Sequence, residues 1–226
     1  KLNFKIESNN SNIEFSFLGS GTYGNVLRAK NNTKDTSIIP QGESIVVKIM
    51  KKDSDEPEKC RKIKKKIENI KKSTYKFKNL KLDLIKKYIL EIIDIRRSHD
   101  IDIIFMEFID GYDLKEYINI NKLGENELNN IILQTLIGVR VFNRVLGLSH
   151  RDLKLENLYF NRKTNTIKVI DFGFVCDKKD SDCLNKYEGT SKYIHMNMNK
   201  KHYSKKTLKN NVNNQLNYNH SELSNN

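Results

Sequence analysis

The octapeptide "HRDLKLEN", residues 150–157, sets a carboxylate, Asp152, and a carboxamide, Asn157, on one short loop. Further on, "IKVIDFG" places Asp171 directly after an apolar run. Transfer of a phosphoryl group needs a carboxylate that orients the attacking hydroxyl and takes its proton, and oxygen ligands for Mg²⁺. Asp152 has the chemistry for the first task, and Asn157 and Asp171 for the second. Upstream, "LGSGTYGNV" carries Gly19, Gly21 and Gly24 as G-x-G-x-x-G, and "VVKIM" carries Lys48. Glycines let backbone N–H groups approach phosphates closely. A lysine inside a buried strand needs an anionic partner. Each piece alone also describes a hairpin, an edge lysine or a solvated loop. Their order along one chain is far more specific than any one of them.

The elements around these residues follow from hydrophobic period. "IEFSFLG" and "NVLRAK" alternate apolar and polar residues on either side of the glycines, as two strands do. A strand after the glycines argues against a dinucleotide-binding fold, which needs a helix there. "SIVVKIM" is a β-branched run suited to a third strand. Residues 57–72 bring Ile63, Ile67 and Ile70 to helical spacing behind Pro57. "STYKFKN" breaks that pattern and "LKLDLIKK" allows a second short helix. "YILEIIDIRRS" and "DIDIIFMEFI" read as two strands joined near His99 and Asp100. After "DGYD" the period turns helical, with a long helix over residues 125–147 closed by glycine. The expected architecture is α+β, with a small antiparallel-sheet lobe, a mainly helical lobe, and a cleft between them.

Taken together, these motifs resemble those of a eukaryotic-type protein kinase, over about residues 13–197. "HRDLKLEN" fits the catalytic-loop pattern H-R-D-L-x-x-x-N and "DFG" the metal-binding one. The resemblance implies an N-lobe over residues 13–106, a hinge at 107–111 and a partial C-lobe over 112–198. A frayed start, 1–12, and a polar tail, 199–226, flank them. It implies ATP and Mg²⁺ as cofactors and a protein substrate with a Ser or Thr acceptor. Asp152, Lys154 and Lys48 would be catalytic, and Asn157 and Asp171 would hold the metal. Leu18, Gly19, Ser20, Gly21, Thr22, Tyr23, Gly24, Val26, Val46 and Lys48 would enclose the nucleotide from the N-lobe. Met106 would be the gatekeeper, and Glu107 and Ile109 would offer backbone hydrogen bonds to adenine. Asp113 and Tyr159 would complete the site. Lys154 resembles the lysine of serine/threonine kinases. Arg151 resembles the arginine that pairs with a phosphorylated activation loop, where Ser181, Tyr187, Thr190 and Ser191 are the hydroxyls.

Some positions depart from the family pattern. The helix glutamate that pairs with the strand lysine has two alignments: Glu68, which requires an insertion before "YILEII", or a register that offers only Asp83. Val46 and Tyr159 stand where Ala and Leu are usual. "GTSKYIHMN" keeps Gly189, Thr190 and Tyr193 but has His195, Met196 and Asn197 in place of Ala-Pro-Glu. No arginine follows Arg162. The C-lobe therefore reads as shortened, with an apolar face left for a regulatory partner. A nucleotide-binding scaffold without turnover, or an inactive fragment, is the competing reading.

Composition bounds the rest. The chain of 226 residues has 41 Lys and Arg against 28 Asp and Glu, a net charge of +13. Such a surplus suits nucleic acid, but no nucleic-acid motif or interleaving of aromatic and basic residues is evident, and drift toward lysine on solvated faces accounts for it. Cys60, Cys176 and Cys183 form an odd, irregular set, which predicts no disulfide framework, no structural zinc and a reducing, cytoplasmic setting. No apolar run is long enough for a membrane span. The start at Lys1 has no signal-like pattern and reads as an internal segment.

Overall fold

In the computed structural model, residues 13–21, 24–32, 39–52, 54–186 and 188–193 are described. A five-stranded antiparallel sheet forms the first lobe. Its strands are β1 (Ile13–Gly21), β2 (Gly24–Asn31), β3 (Ser44–Lys51), β4 (Ile92–Arg97) and β5 (Ile101–Glu107), in the order β1-β2-β3-β5-β4. The two-residue period of β3 sorts its side chains. Ile45, Val47 and Ile49 are buried in a cluster with Ala29 and Ile39 on one face. Val46 and Lys48 point to the other face, where they line the cleft between the lobes. Gly24 is required by close approach: a Cβ there would stand 1.9 Å from the carbonyl oxygen of Ile49 on β3.

Helix α1 (Glu56–Lys72) follows β3 after four residues. Pro57 sits in its first turn, Glu56 and Glu58 meet the positive end of the helix dipole, and Lys71 and Lys72 the negative end. The Ser54 hydroxyl accepts the Glu56 amide at 3.2 Å. Cys60 and Ile63 are fully buried against the sheet. Helix α2 (Lys78–Tyr88) then packs on α1 and on the second lobe. Beyond it, Ile89 bridges to Val169, and Leu90 donates its amide to the Val169 carbonyl at 3.0 Å.

The second lobe holds β6 (Gly111–Asp113), α3 (Leu114–Ile120) and α4 (Glu125–Arg140). It continues with β7 (Leu148–Ser149), β8 (Leu158–Asn161), β9 (Thr166–Val169), β10 (Cys176–Asp177) and α5 (Ser181–Asn185). The helix expected over 125–147 is α-helical to Arg140, continues as a π turn over Val141–Val145, and ends before Gly147, whose φ is +66°. Strands β6, β8 and β9 form a small sheet that carries the loop of residues 150–157 at one end. One apolar cluster runs through both lobes, from Met50 and Ile104 in the sheet to Phe142 and Phe172. The α+β, two-lobed expectation holds. Residues 1–12 and 199–226, and His195, Met196 and Asn197, lie outside the described residues.

One expectation is corrected. Cys176 on β10 and Cys183 on α5, with Cα atoms 6.0 Å apart, are joined as a disulfide. The turn between these elements folds the chain back and brings the two positions together, a contact that spacing alone does not display. Cys60 is the free cysteine, and burial pushes its thiol pKa up. Thiol titration of the unfolded, unreduced chain is expected to find one reactive thiol. Three would show that the Cys176–Cys183 pair is reduced.

Candidate active site

The cleft between the lobes is a cavity of about 480 Å³. Leu18, Val26, Val46 and Met106 line it from the sheet, Ile109 from the connection, and Tyr159 and Ile170 from the second lobe. Of the expected nucleotide contacts, Lys48, Glu107 and Asp113 also line it. Gly19, Ser20, Gly21 and Gly24 belong to the β1–β2 hairpin, paired Gly21 to Gly24. Thr22 and Tyr23 lie outside the described residues. Leu90, Phe108, Glu116, Glu156 and Phe172 also line the cavity. Glu156 and Phe172 lie within the two motifs but were not expected as cleft lining, while the fold alone brings Leu90, Phe108 and Glu116 there. The Tyr159 hydroxyl donates to the Gly111 carbonyl at 3.0 Å, so its polar end is satisfied while its ring walls the cleft.

Lys48 finds its anion on α1. Its ammonium lies 2.7 Å from both carboxylate oxygens of Glu56. The side chains are 16% and 4% exposed. Burial alone would lower the pKa of Lys48, but Glu56 and Asp171 outweigh it and hold it above the ordinary lysine value. Burial pushes the Glu56 carboxyl up, and Asp171 adds to this against the pull of Lys48. Lys48 thus has two carboxylates in its favour, while Glu56 has chiefly one ammonium to set against burial.

This pairing corrects the assignment of Glu68. Glu68 is exposed, twelve residues along the same helix, which is about 18 Å. It lines the groove between α1 and α2 instead. The short connection from β3 places the first residue of α1, and not its middle, beside Lys48. Glu56 ahead of Pro57 was the available signal, a carboxylate at a helix start.

The triplet Asp171–Gly173 is held from several sides. Asp171 has φ +61°, and its Oδ1 accepts the Gly173 amide at 3.1 Å. The Lys59 ammonium on α1 donates to the Gly173 carbonyl at 2.6 Å. Phe172 is buried between the rings of Phe142 and His150. His150 bonds the Ile170 carbonyl at 2.9 Å, and burial pushes its pKa down.

Asp152 sits in a closed set of donors. Asn157 Nδ2 donates to its carbonyl at 2.7 Å and to its Oδ2 at 3.0 Å. The Lys154 ammonium is 3.1 Å from the same Oδ2. The Thr190 amide donates to Oδ1 at 2.6 Å, and Lys154 also donates to the Thr190 hydroxyl at 3.0 Å. Burial would raise the Asp152 pKa, but Thr190 and Lys154 outweigh it and hold it below the ordinary aspartate value. Gly189 makes this approach possible: its φ is +114°, and a Cβ would meet the Arg151 carbonyl oxygen at 2.4 Å. Arg151, at φ +69°, pairs with Glu188 at 3.1 Å and donates to the Lys186 carbonyl. The arginine expected to await a phosphate therefore already holds a carboxylate. Thr190 and Glu188 as partners of the loop of residues 150–157 were not foreseen, since both contacts span more than thirty residues.

Asn157 spends its amide nitrogen on Asp152, which leaves its oxygen as the remaining polar atom. Asp171 spends one oxygen on Gly173. The oxygens left over suit a hard cation such as Mg²⁺. Among the described residues, no group of three or more His, Cys, Asp and Glu stands ready to hold a metal alone. Any ion here needs further oxygens, such as those of phosphates.

A two-lobed fold with these groups around its cleft is the arrangement expected of a protein kinase domain. A family model for the protein kinase domain matches residues 13–208, and the chain belongs to the protein kinase family. It is 46% identical over 71 residues to the probable serine/threonine-protein kinase fnkB of Dictyostelium discoideum, covering 31% of this chain and 13% of that protein. It is 29% identical over 167 residues to the dual specificity protein kinase zakA of the same organism, covering 71% of this chain and 18% of that protein. It is 27% identical over 161 residues to the serine/threonine-protein kinase KIN4 of Saccharomyces cerevisiae, again covering 71% and 18%. The chain spans less than a fifth of the length of each of these curated relatives.

Removing one partner of a buried ion pair leaves an uncompensated charge and costs about 3–5 kcal/mol. Glu56→Gln is therefore expected to lower the melting temperature and abolish the added stability conferred by Mg²⁺-ATP. Glu68→Gln should leave both unchanged. The reverse result in a thermal-shift series would restore Glu68 as the partner.

Proposed function

We propose that the chain transfers the γ-phosphate of ATP, with Mg²⁺, to Ser or Thr hydroxyls of protein substrates. The observation that carries this reading is the set of bonds around Asp152. A carboxylate offers about four lone-pair positions. Thr190, Asn157 and Lys154 hold the carboxylate ionised and oriented, and an incoming hydroxyl would take the position that the Thr190 hydroxyl shares. Asp152 orients that hydroxyl and takes its proton. Lys154, bridging Asp152 and Thr190, offsets charge on the transferring group. Lys48, fixed by Glu56, anchors the α- and β-phosphates. Asn157 and Asp171 would hold Mg²⁺, which would supply positive charge to offset that of the phosphates. Adenine lies between Val46 and Tyr159, with the backbone of Glu107 and Ile109 along its edge and Asp113 near the ribose. Lys154 supports the Ser/Thr preference by resemblance.

The competing reading is a scaffold that binds nucleotide without turnover. It is favoured by the sequence after Tyr193, where His195, Met196 and Asn197 replace the usual segment ending. A regulatory partner over the second lobe belongs to either reading. Among the described residues, no helix is long and apolar enough to cross a membrane. We place the chain inside the cell on its sparse, odd cysteine set, with the Cys176–Cys183 bond the feature that argues the other way.

Two outcomes separate the readings. Asp152→Ala is expected to reduce phosphate incorporation by at least about 10²-fold while Mg²⁺-ATP still raises the melting temperature. Unchanged incorporation would sink the assignment of Asp152. Wild-type chain that binds Mg²⁺-ATP yet labels neither itself nor a basic substrate would establish the scaffold.

The low pKa of Asp152 sets a pH dependence. Its base form persists above the depressed value and is lost as pH falls through it. Lys154→Met removes one of the groups that depress it, so protonation then occurs at higher pH. The acid limb of the kcat/KM profile is expected to shift toward neutrality in this variant, beyond any loss in the plateau. A limb that stays in place would detach Lys154 from the titration.

A further inference from the structure

The turn between α1 and α2 has a surface unlike the rest of the lobe. Tyr75, Phe77 and Leu80 are 51%, 50% and 57% exposed. Five lysines and no acidic residue occupy positions 71–82. None of these lysines is in an ion pair among the described residues. Aromatic and basic residues do interleave here, contrary to the reading of the sequence. The Tyr75 and Phe77 rings meet edge to face at 5.8 Å. The Lys81 ammonium stands 4.2 Å from the Tyr75 ring centre and that of Lys76 5.8 Å from the Phe77 ring centre. The three apolar residues line neither the nucleotide cleft nor the groove between α1, α2 and β4.

We propose that this elbow docks on an anionic phospholipid surface. Lysines near such a surface are drawn to it by its negative potential. Aromatic rings and leucine partition into the boundary between headgroups and acyl chains, and lysine stems reach back to the headgroups. The elbow supplies both parts within one turn. Single-stranded nucleic acid shares the charge requirement but needs open ring faces for base stacking. Here Lys81 covers a Tyr75 face, and Leu80 has no ring to stack. An acidic peptide would need a groove or a strand edge, and the groove beside the elbow, between α1 and α2, carries Glu68, Asp83 and Glu91, which repel one. Among the described residues, the exposed leucines and isoleucine of α4 lie in a run with no lysine, which sets the elbow apart.

The inference does not depend on catalysis, and neither does its test. The chain has no tryptophan, so Phe77→Trp installs a single fluorophore at the elbow. With phosphatidylcholine–phosphatidylserine vesicles its emission should shift to the blue and be quenched by brominated acyl chains. With phosphatidylcholine alone, or at high salt, both effects should vanish. The variant Tyr75→Ser/Phe77→Ser/Leu80→Ser keeps every charge and should sediment with anionic vesicles at least about tenfold more weakly. Thermal melts of each variant confirm its fold. Equal sedimentation of the triple variant would assign binding to the general lysine surplus and overturn the proposal. An unshifted reporter would do the same. So would a reporter that responds to a single-stranded oligonucleotide but not to vesicles.

Discussion

The buried contact between Lys48 and Glu56 is the constraint on which the arrangement of both lobes rests. A lysine on the cleft face of β3 is costly unless an anion meets it. The anion comes from the first residue of α1, and that single contact fixes where the helix starts, which face it buries and how close it lies to Asp171. Lys59, one turn further along, then reaches the Gly173 carbonyl. Strand, helix and the loop of Asp171–Gly173 are thus tied at one place by charges that would each be unfavourable alone.

A second knot forms around Asp152, and its logic is different. There the groups are brought together by backbone, through the positive φ of Arg151, Asp171 and Gly189. Each of these turns aims a donor or acceptor inward. Asp152 receives bonds from its own loop through Asn157 and Lys154, and from the later segment through the Thr190 amide. Arg151 and Glu188 hold the two segments together beside it. In the family such a contact often awaits a phosphate; here a carboxylate encoded in the chain occupies it.

What could be read from the sequence was local. "HRDLKLEN", "DFG", the glycines and Lys48 act within a few residues of themselves or at positions set by a strand's two-residue period, so their text displays their geometry. Strands β1 to β5 and helix α1 followed from period and turn residues for the same reason. Glu56 was missed because its role depends on the length of the β3–α1 connection, a three-dimensional quantity. Family spacing pointed to Glu68, which lies a dozen residues too far along the helix. Thr190, Glu188 and the Cys176–Cys183 pair were hidden likewise: each depends on how a loop returns.

Four residues join β3 to α1, and a chain of that length spans at most about 13–14 Å. A longer tether would let the helix swing outward as a rigid rod and carry its glutamate away. Here such a swing is restrained by the leash, and by α2, which clasps α1 to the second lobe. The ionic contact sits instead on the helical turn whose amides lack partners within the helix. Melting that one turn would release Glu56 and leave the rest of the rod in place. Control exerted at this point would work as a local order–disorder transition, sensitive to anything that binds or modifies the residues around Ser54.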